Sequence, residues 1–182
     1  MKIRRIVVKV DPARRRRAVL EAAAALAEKL EAELVGLFVE NVDLLHFAGL
    51  PFAREVGFTS ATRRPLDVAA MERSLRALAK DAHETLALVA RGTPVRWSFR
   101  VARGPEAPEL LAGATAEDLV IANLSLADEL ARGATVRVVR AGDWDELREA
   151  MQAEAGGVLV LAGADDALVG ETLRKLCEGA GT

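Results

Sequence analysis

Short apolar runs alternate with longer stretches that are apolar on one side only. The first pattern is typical of buried strands, and apolar residues spaced three and four apart are typical of amphipathic helices. The pattern predicts strands at residues 3–10, 34–39, 95–102, 118–122, 136–139 and 158–161. It predicts helices at residues 19–30, 66–90, 106–114, 126–131, 143–155 and 165–177.

Because strands and helices alternate, the pattern predicts an α/β fold with a mainly parallel sheet. Residues 95–102 differ from the other strands, since their apolar residues alternate with arginine and serine. That alternation predicts a half-exposed strand at a sheet edge. In such folds, ligands bind at the carboxyl ends of the strands, where the strand order reverses.

Residues 41–65 break the pattern, and we expect an irregular, largely apolar loop there with about one helical turn. Its segment 44–52 has the sequence LLHFAGLPF, with His46 near its centre. Packing on its own domain is the first interpretation of this segment, and contact with another subunit or protein is the second. A lid over an apolar pocket is a further alternative. His46 is interpreted as a packed or surface histidine.

The composition excludes several classes of site. Cys177 is the single cysteine and His46 and His83 are the two histidines, so neither a disulfide nor a histidine–cysteine metal cage is expected. Aromatic residues make up 4% and tyrosine is absent, which argues against a stacking platform for nucleic acid. No apolar run approaches the roughly 18 to 20 residues of a membrane span. We therefore expect a cytoplasmic protein without a membrane span.

The net charge of −2 hides an asymmetry, since residues 1–100 carry 18 basic and 12 acidic residues, and residues 101–182 carry 7 and 15. Residues 14–17 are four arginines in succession. Because four successive residues point all round a helix, we interpret them as a solvated helix start and not as a nucleic-acid site. Basic residues at a helix start are unfavourable, so an acidic neighbour is expected, supplied by the acidic half.

Three stretches follow one another in an informative order. The first is IVVKVD at residues 6–11, which leads through an Ala/Leu-rich helix to LVGLFV at 34–39. The second is VARGP at residues 101–105, and the third is EDLVIA at 117–122. In this order and at this spacing, residues 3–140 resemble the universal stress protein family.

The resemblance implies a Rossmann-like sheet of five parallel strands in the order 3-2-1-4-5, flanked by helices. Many members bind ATP between strands 1 and 4, with an aspartate after strand 1 and a glycine-rich phosphate loop, G-x2-G-x9-G-[ST], after strand 4. Asp11 stands at the position of that aspartate. The loop is missing, because no two glycines of the chain are three apart, and Asn123 aligns with its first glycine. The resemblance therefore implies a member that does not bind ATP in the usual way.

An altered site for ATP or AMP is the alternative, and it would use Asp11, Val39, Asn123 and Ser125 at the switch point. Locally, Asp11 also suits a helix N-cap, and Ser125 suits the N-cap of the short helix after it. No motif prepares a nucleophile, an acid–base pair or a metal set. We expect no catalytic residue and no metal ligand.

Residues 1–140 form the recognisable domain, and residues 141–182 are an α/β extension. The strand at 158–161 either joins the sheet as a sixth strand beside 136–139, covering an edge through which the family often dimerises, or belongs to a degenerate second copy. The spacing leaves both readings open.

We expect a universal stress protein-like binding or regulatory module in the stress response, and not an enzyme. It would act as a homodimer or through a protein partner at segment 44–52, without a cofactor and without nucleic acid. An adenine-nucleotide-binding protein with an altered site is the alternative, and a small hydrolase or transferase is a remote one.

Overall fold

The computed structural model describes residues 2–11, 17–40, 54–56, 63–65, 67–133, 135–153 and 157–179. The strands are β1 (Arg5–Lys9), β2 (Glu33–Glu40), β3 (Arg54–Val56), β4 (Arg63–Pro65), β5 (Arg96–Arg103), β6 (Asp118–Asn123), β7 (Val136–Arg140) and β8 (Val158–Gly163). The helices are α1 (Arg17–Lys29), α2 (Val68–Arg91), α3 (Glu106–Leu111), α4 (Ala127–Leu130), α5 (Trp144–Gln152) and α6 (Asp166–Gly179). The predicted α/β class is confirmed.

Six strands form one parallel sheet in the order β5-β2-β1-β6-β8-β7. The predicted sixth strand is therefore present, and residues 95–102 lie at a sheet edge as predicted. The order 3-2-1-4 also holds, but β8 takes the fifth place and β7 is outermost.

Residues 158–161 therefore join the sheet beside 136–139, as one of the two alternatives predicted, but they lie on its inner side and do not cover its outer edge. β8 pairs with β7 on one side and with β6 on the other, so it lies inside the sheet. The physical reason is burial, because all six residues of β8 are buried, whereas β7 carries Arg137 and the exposed Arg140. Apolar strands take central places, and charged strands are tolerated at edges.

Helices cover the two faces of the sheet unequally. On the first face, α1, α2, α5 and α6 pack against alternate strand residues such as Ile6 and Val8. On the second face, the described helices that pack against the intervening residues, such as Val7 and Val120, are α3 and α4. α3 has six residues and α4 has four, so the described helices on this face are shorter than those on the first face.

Between residues 41 and 90, the structure adds detail that the sequence pattern did not predict. An antiparallel pair of strands, β3 and β4, lies where an irregular loop was predicted, and segment 44–52 with His46 lies outside the described residues. The residues of α2 that are buried are Ala82, Leu86, Val89 and Ala90, whereas Leu78 is 37% exposed. No residue of α2 before Ala82 is buried.

The basic first half meets the acidic second half within the chain. Arg4 contacts Glu117 at 3.0 Å, Arg5 contacts Asp118 at 2.6 Å, and Lys9 contacts Glu106 at 2.5 Å. These contacts join β1 to β6 and α3.

Candidate functional site

The candidate site is the crevice between the carboxyl ends of β1 and β6, which are neighbours in the centre of the sheet. The chain leaves β1 towards α1 on the first face and leaves β6 towards α4 on the second face. The strand order therefore reverses between β1 and β6, and this is where open α/β sheets bind ligands.

The register brings three of the four predicted site residues to this edge. Lys9 pairs with Leu37, so Asp11 lies level with Val39 on the neighbouring strand. Val8 pairs with Ile121, so Asn123 lies level with Val10 on the other side. Ser125 lies two residues after Asn123, in a 3-10 turn, and its side chain is exposed.

The segment after β6 differs from a phosphate-binding loop. Asn123 has φ −77° and ψ 149°, which is extended, so the left-handed turn that asparagine permits is not used. A 3-10 turn at Leu124–Leu126 follows directly, and Leu126 packs against the second-face core. Residues 114–132 contain no glycine. Every residue there carries a Cβ, which hinders the close approach of a phosphate to the backbone amides.

The prediction that Ser125 is the N-cap of the short helix is wrong. Leu126 precedes α4, and no side chain caps that helix. The 3-10 turn supplies the reason, because the chain is already helical at Ser125 and the amide of Ala127 bonds back to the carbonyl of Leu124.

An ion pair lies below this edge on the second face. Lys9 Nζ is 2.5 Å from Glu106 Oε1, and the side chains are 16% and 28% exposed. Glu106 stands in the first turn of α3, where a carboxylate is favoured. Sequence reasoning missed this pair, although a lysine within an apolar strand was a signal. The lysine charge is balanced by Glu106, which makes it a weak partner for a phosphate.

A second ion pair ties β2 to β5 at the same edge. Glu40 has a side chain only 8% exposed, and Arg103 donates to its Oε2 from Nε at 2.9 Å and from Nη2 at 2.8 Å. The amide of Gly104 also donates to the carbonyl of Glu40 at 3.1 Å. This contact keeps a buried carboxylate paired and fixes the ends of both strands.

The opposite, amino edge holds a network with a structural role. Asp118 is fully buried and accepts from Arg5 through both Nε (2.8 Å) and Nη2 (2.6 Å). It also accepts from the amide of Thr115 at 2.6 Å. The hydrogen bond to Asp118 and its charge raise the pKa of Arg5, against the opposing effect of burial.

Of the arginine run at residues 14–17, Arg14 to Arg16 lie outside the described residues. The expectation that an acid of the second half pairs with this run is not met by Arg17, which contacts Glu21 of its own helix at 2.7 Å. Cys177 is a partly buried free thiol packed at the edge of the first-face core. Across the described ranges, no group of three or more potential metal-ligating side chains comes together. None of the helices described has both the length and the apolar character that crossing a bilayer requires.

In comparisons with known proteins, the sequence matches no family model and no curated protein.

Proposed function

We propose that the chain is a binding or regulatory module of the universal stress protein type, which does not bind ATP in the usual way and acts through self-association or partner contact in the cell's stress response. The segment after β6 carries the proposal. Where the family has its glycine-rich phosphate loop, this chain has Leu124, Ser125 and Leu126 in a 3-10 turn that packs on the core. A leucine side chain there excludes phosphate oxygens from the backbone amides.

The edges of the sheet support self-association. β7 stays at one edge because β8 inserts beside β6. The amide of Ala141 donates to Ala162 of β8, so by alternation the backbone groups of Val138 point away from the sheet. An uncovered edge strand is a template for pairing with a second chain. We infer a homodimer through β7.

Both edge strands carry arginines, which oppose pairing: Arg96, Arg100 and Arg103 on β5, and Arg137 and Arg140 on β7. We choose β7 because the family that the chain resembles often dimerises through the edge that residues 136–139 occupy. Partner contact has separate support from the first half of α2, where Val68 and Leu78 are each 37% exposed.

One observation favours the second candidate, an altered site for ATP or AMP. Asp11, Val39 and Asn123 occupy neighbouring strands at the edge where such folds bind nucleotides. An adenine or ribose would then be held by the Asp11 carboxylate, without the usual phosphate contacts.

Calorimetric titration with ATP and with AMP distinguishes the two candidates. The first predicts no binding in the micromolar range by the wild-type protein, and no difference between wild type and Asp11→Ala. The second predicts binding that Asp11→Ala weakens about tenfold or more, since a hydrogen bond to a charged group is lost. Asp81→Ala, an exposed aspartate on α2, is the matched control and should leave the titration unchanged. Micromolar binding by the wild type would overturn the first proposal.

A further inference from the structure

A groove between α5 and α6 lies away from the switch point. Both helices pack on the first face of the sheet, and the space between them has a volume of about 410 Å³. That volume falls within the range of about 300 to 1,000 Å³ of small-molecule pockets. Three of the lining side chains are apolar and partly buried, namely Trp144, Met151 and Leu176, whereas the polar ones at its rim are exposed.

Two cations flank this apolar lining from opposite helices, Arg148 from α5 and Lys175 from α6. Lys175 Nζ lies 4.7 Å from the centroid of the Trp144 ring and 3.1 Å from Glu171. Arg148 makes no ion pair with any side chain in the described part of the chain. Glu171 does not line the groove, so the side chains that line it carry two positive charges and no negative charge.

The groove also has room along its length. Gly179 lines one end, and a Cβ added there would meet no atom within 4 Å. Beyond Met151 lies a second cavity of about 390 Å³ whose lining includes Ile3, Leu30 and Lys29. An extended apolar chain therefore has space in either direction.

We propose that this groove binds a small amphiphilic carboxylate of the medium-chain fatty acid class. Its alkyl chain lies along Met151 and Leu176, where burial of apolar surface supplies the affinity. Its carboxylate lies between Arg148 and Lys175, where a charge-assisted contact fixes the orientation. A neutral apolar ligand would make no charged contact with the two cations. A strongly polar ligand would make no apolar contact with the Trp144 indole and the Met151 thioether. This proposal does not depend on whether the chain binds ATP or AMP at the switch point.

The fluorescence emission of Trp144, which lines the groove, measures binding. Trp97→Phe removes the other tryptophan, so the emission of the variant comes from Trp144 alone. Titration with decanoate, below its micelle concentration, should change that emission saturably. Decan-1-ol has the same chain without the charge and should bind about tenfold more weakly, the size of two partly exposed ion pairs.

Charge variants in this background locate the carboxylate. The double variant Arg148→Gln, Lys175→Gln should lose about tenfold in decanoate affinity and little in decanol affinity. Arg76→Gln with Lys80→Gln is the matched control, since both are exposed cations of α2 in ion pairs at 3.7 and 3.8 Å, and it should behave as the parent.

Any result of the following three kinds would overturn the proposal. The first is the absence of saturable binding of decanoate. The second is equal affinity for decanoate and decanol, or an unchanged decanoate affinity in the groove double variant. The third is Trp144 emission that depends on protein concentration and not on decanoate, which would make the groove an interface between copies of the chain.

Discussion

At the scale of single residues, Asp118 is the clearest case of a buried charge retained for structure. Its carboxylate is fully buried, yet it accepts bonds from Arg5, from the amide of Thr115 and from the hydroxyl of Thr115. One side chain thus joins β1, β6 and the turn between α3 and β6. Removing one partner of such a network costs more than the network contributes, because the other groups lose their partner.

We predict that Asp118→Ala lowers the free energy of unfolding by about 2 to 4 kcal/mol, measured by urea denaturation. Arg4→Ala is the matched control. Arg4 and Glu117 directly precede Arg5 and Asp118 in the sequence and also form an ion pair, but their side chains are 66% and 49% exposed. It should cost at most about 1 kcal/mol. An equal loss of unfolding free energy in the two variants would show that the burial of Asp118 does not determine how much the substitution destabilises the fold.

At the scale of elements, β8 has the largest consequence for stability. It lies between β6 and β7, and all its residues are buried. A chain that ends after Arg140 would lose this strand and would leave β7 without a neighbour in the sheet.

We predict that a chain of residues 1–140 shows no cooperative thermal transition by circular dichroism, whereas a chain of residues 1–179 unfolds like the chain of residues 1–182. The expectation follows from the apolar surface of β6 that the missing strand would expose. A cooperative transition of the 1–140 chain near that of the full chain would contradict this role of β8.

The sequence predicted the helices and strands of the sheet because apolar runs and helical spacing indicate which residues of a short segment are buried. The predicted bounds of β6 and of α2 agree with the structure to within two residues. The place of β8 was not predicted, since it depends on competition between two strands for the central position. The apolar run at 158–162, set against Arg137 and Arg140 in β7, contained the needed signal.

The candidate site was predictable in part, for a related reason. Asp11 and Asn123 each follow a predicted strand, so parallel pairing places them at one edge. The ion pair between Lys9 and Glu106 was not predicted, because it joins residues far apart in the chain and depends on where α3 packs. The 3-10 turn at Ser125 likewise depends on the packing of Leu126 on the core.

At the scale of the whole molecule, the two sheet edges differ in chemistry. β5 carries three arginines, of which Arg103 is held by Glu40 and Arg100 by the carbonyls of Glu109 and Ala112. β7 carries Arg137 and Arg140, and it offers the outward backbone groups of Val138 beside half-buried valines. Because the proposed dimer pairs through β7, we predict that a lysine placed on β7 weakens the dimer and that a lysine placed on β5 leaves it intact.

Native mass spectrometry of the purified protein tests the central proposal most directly, because it reports the number of subunits and any bound small molecule together. The account predicts a wild-type dimer without nucleotide. Val138→Lys should shift it to monomer, since a charge on the pairing edge opposes association. Val101→Lys, at a valine 48% exposed on β5, should leave the dimer intact. A wild-type mass that includes bound ATP or AMP, or a Val138→Lys variant that stays dimeric, would contradict the account.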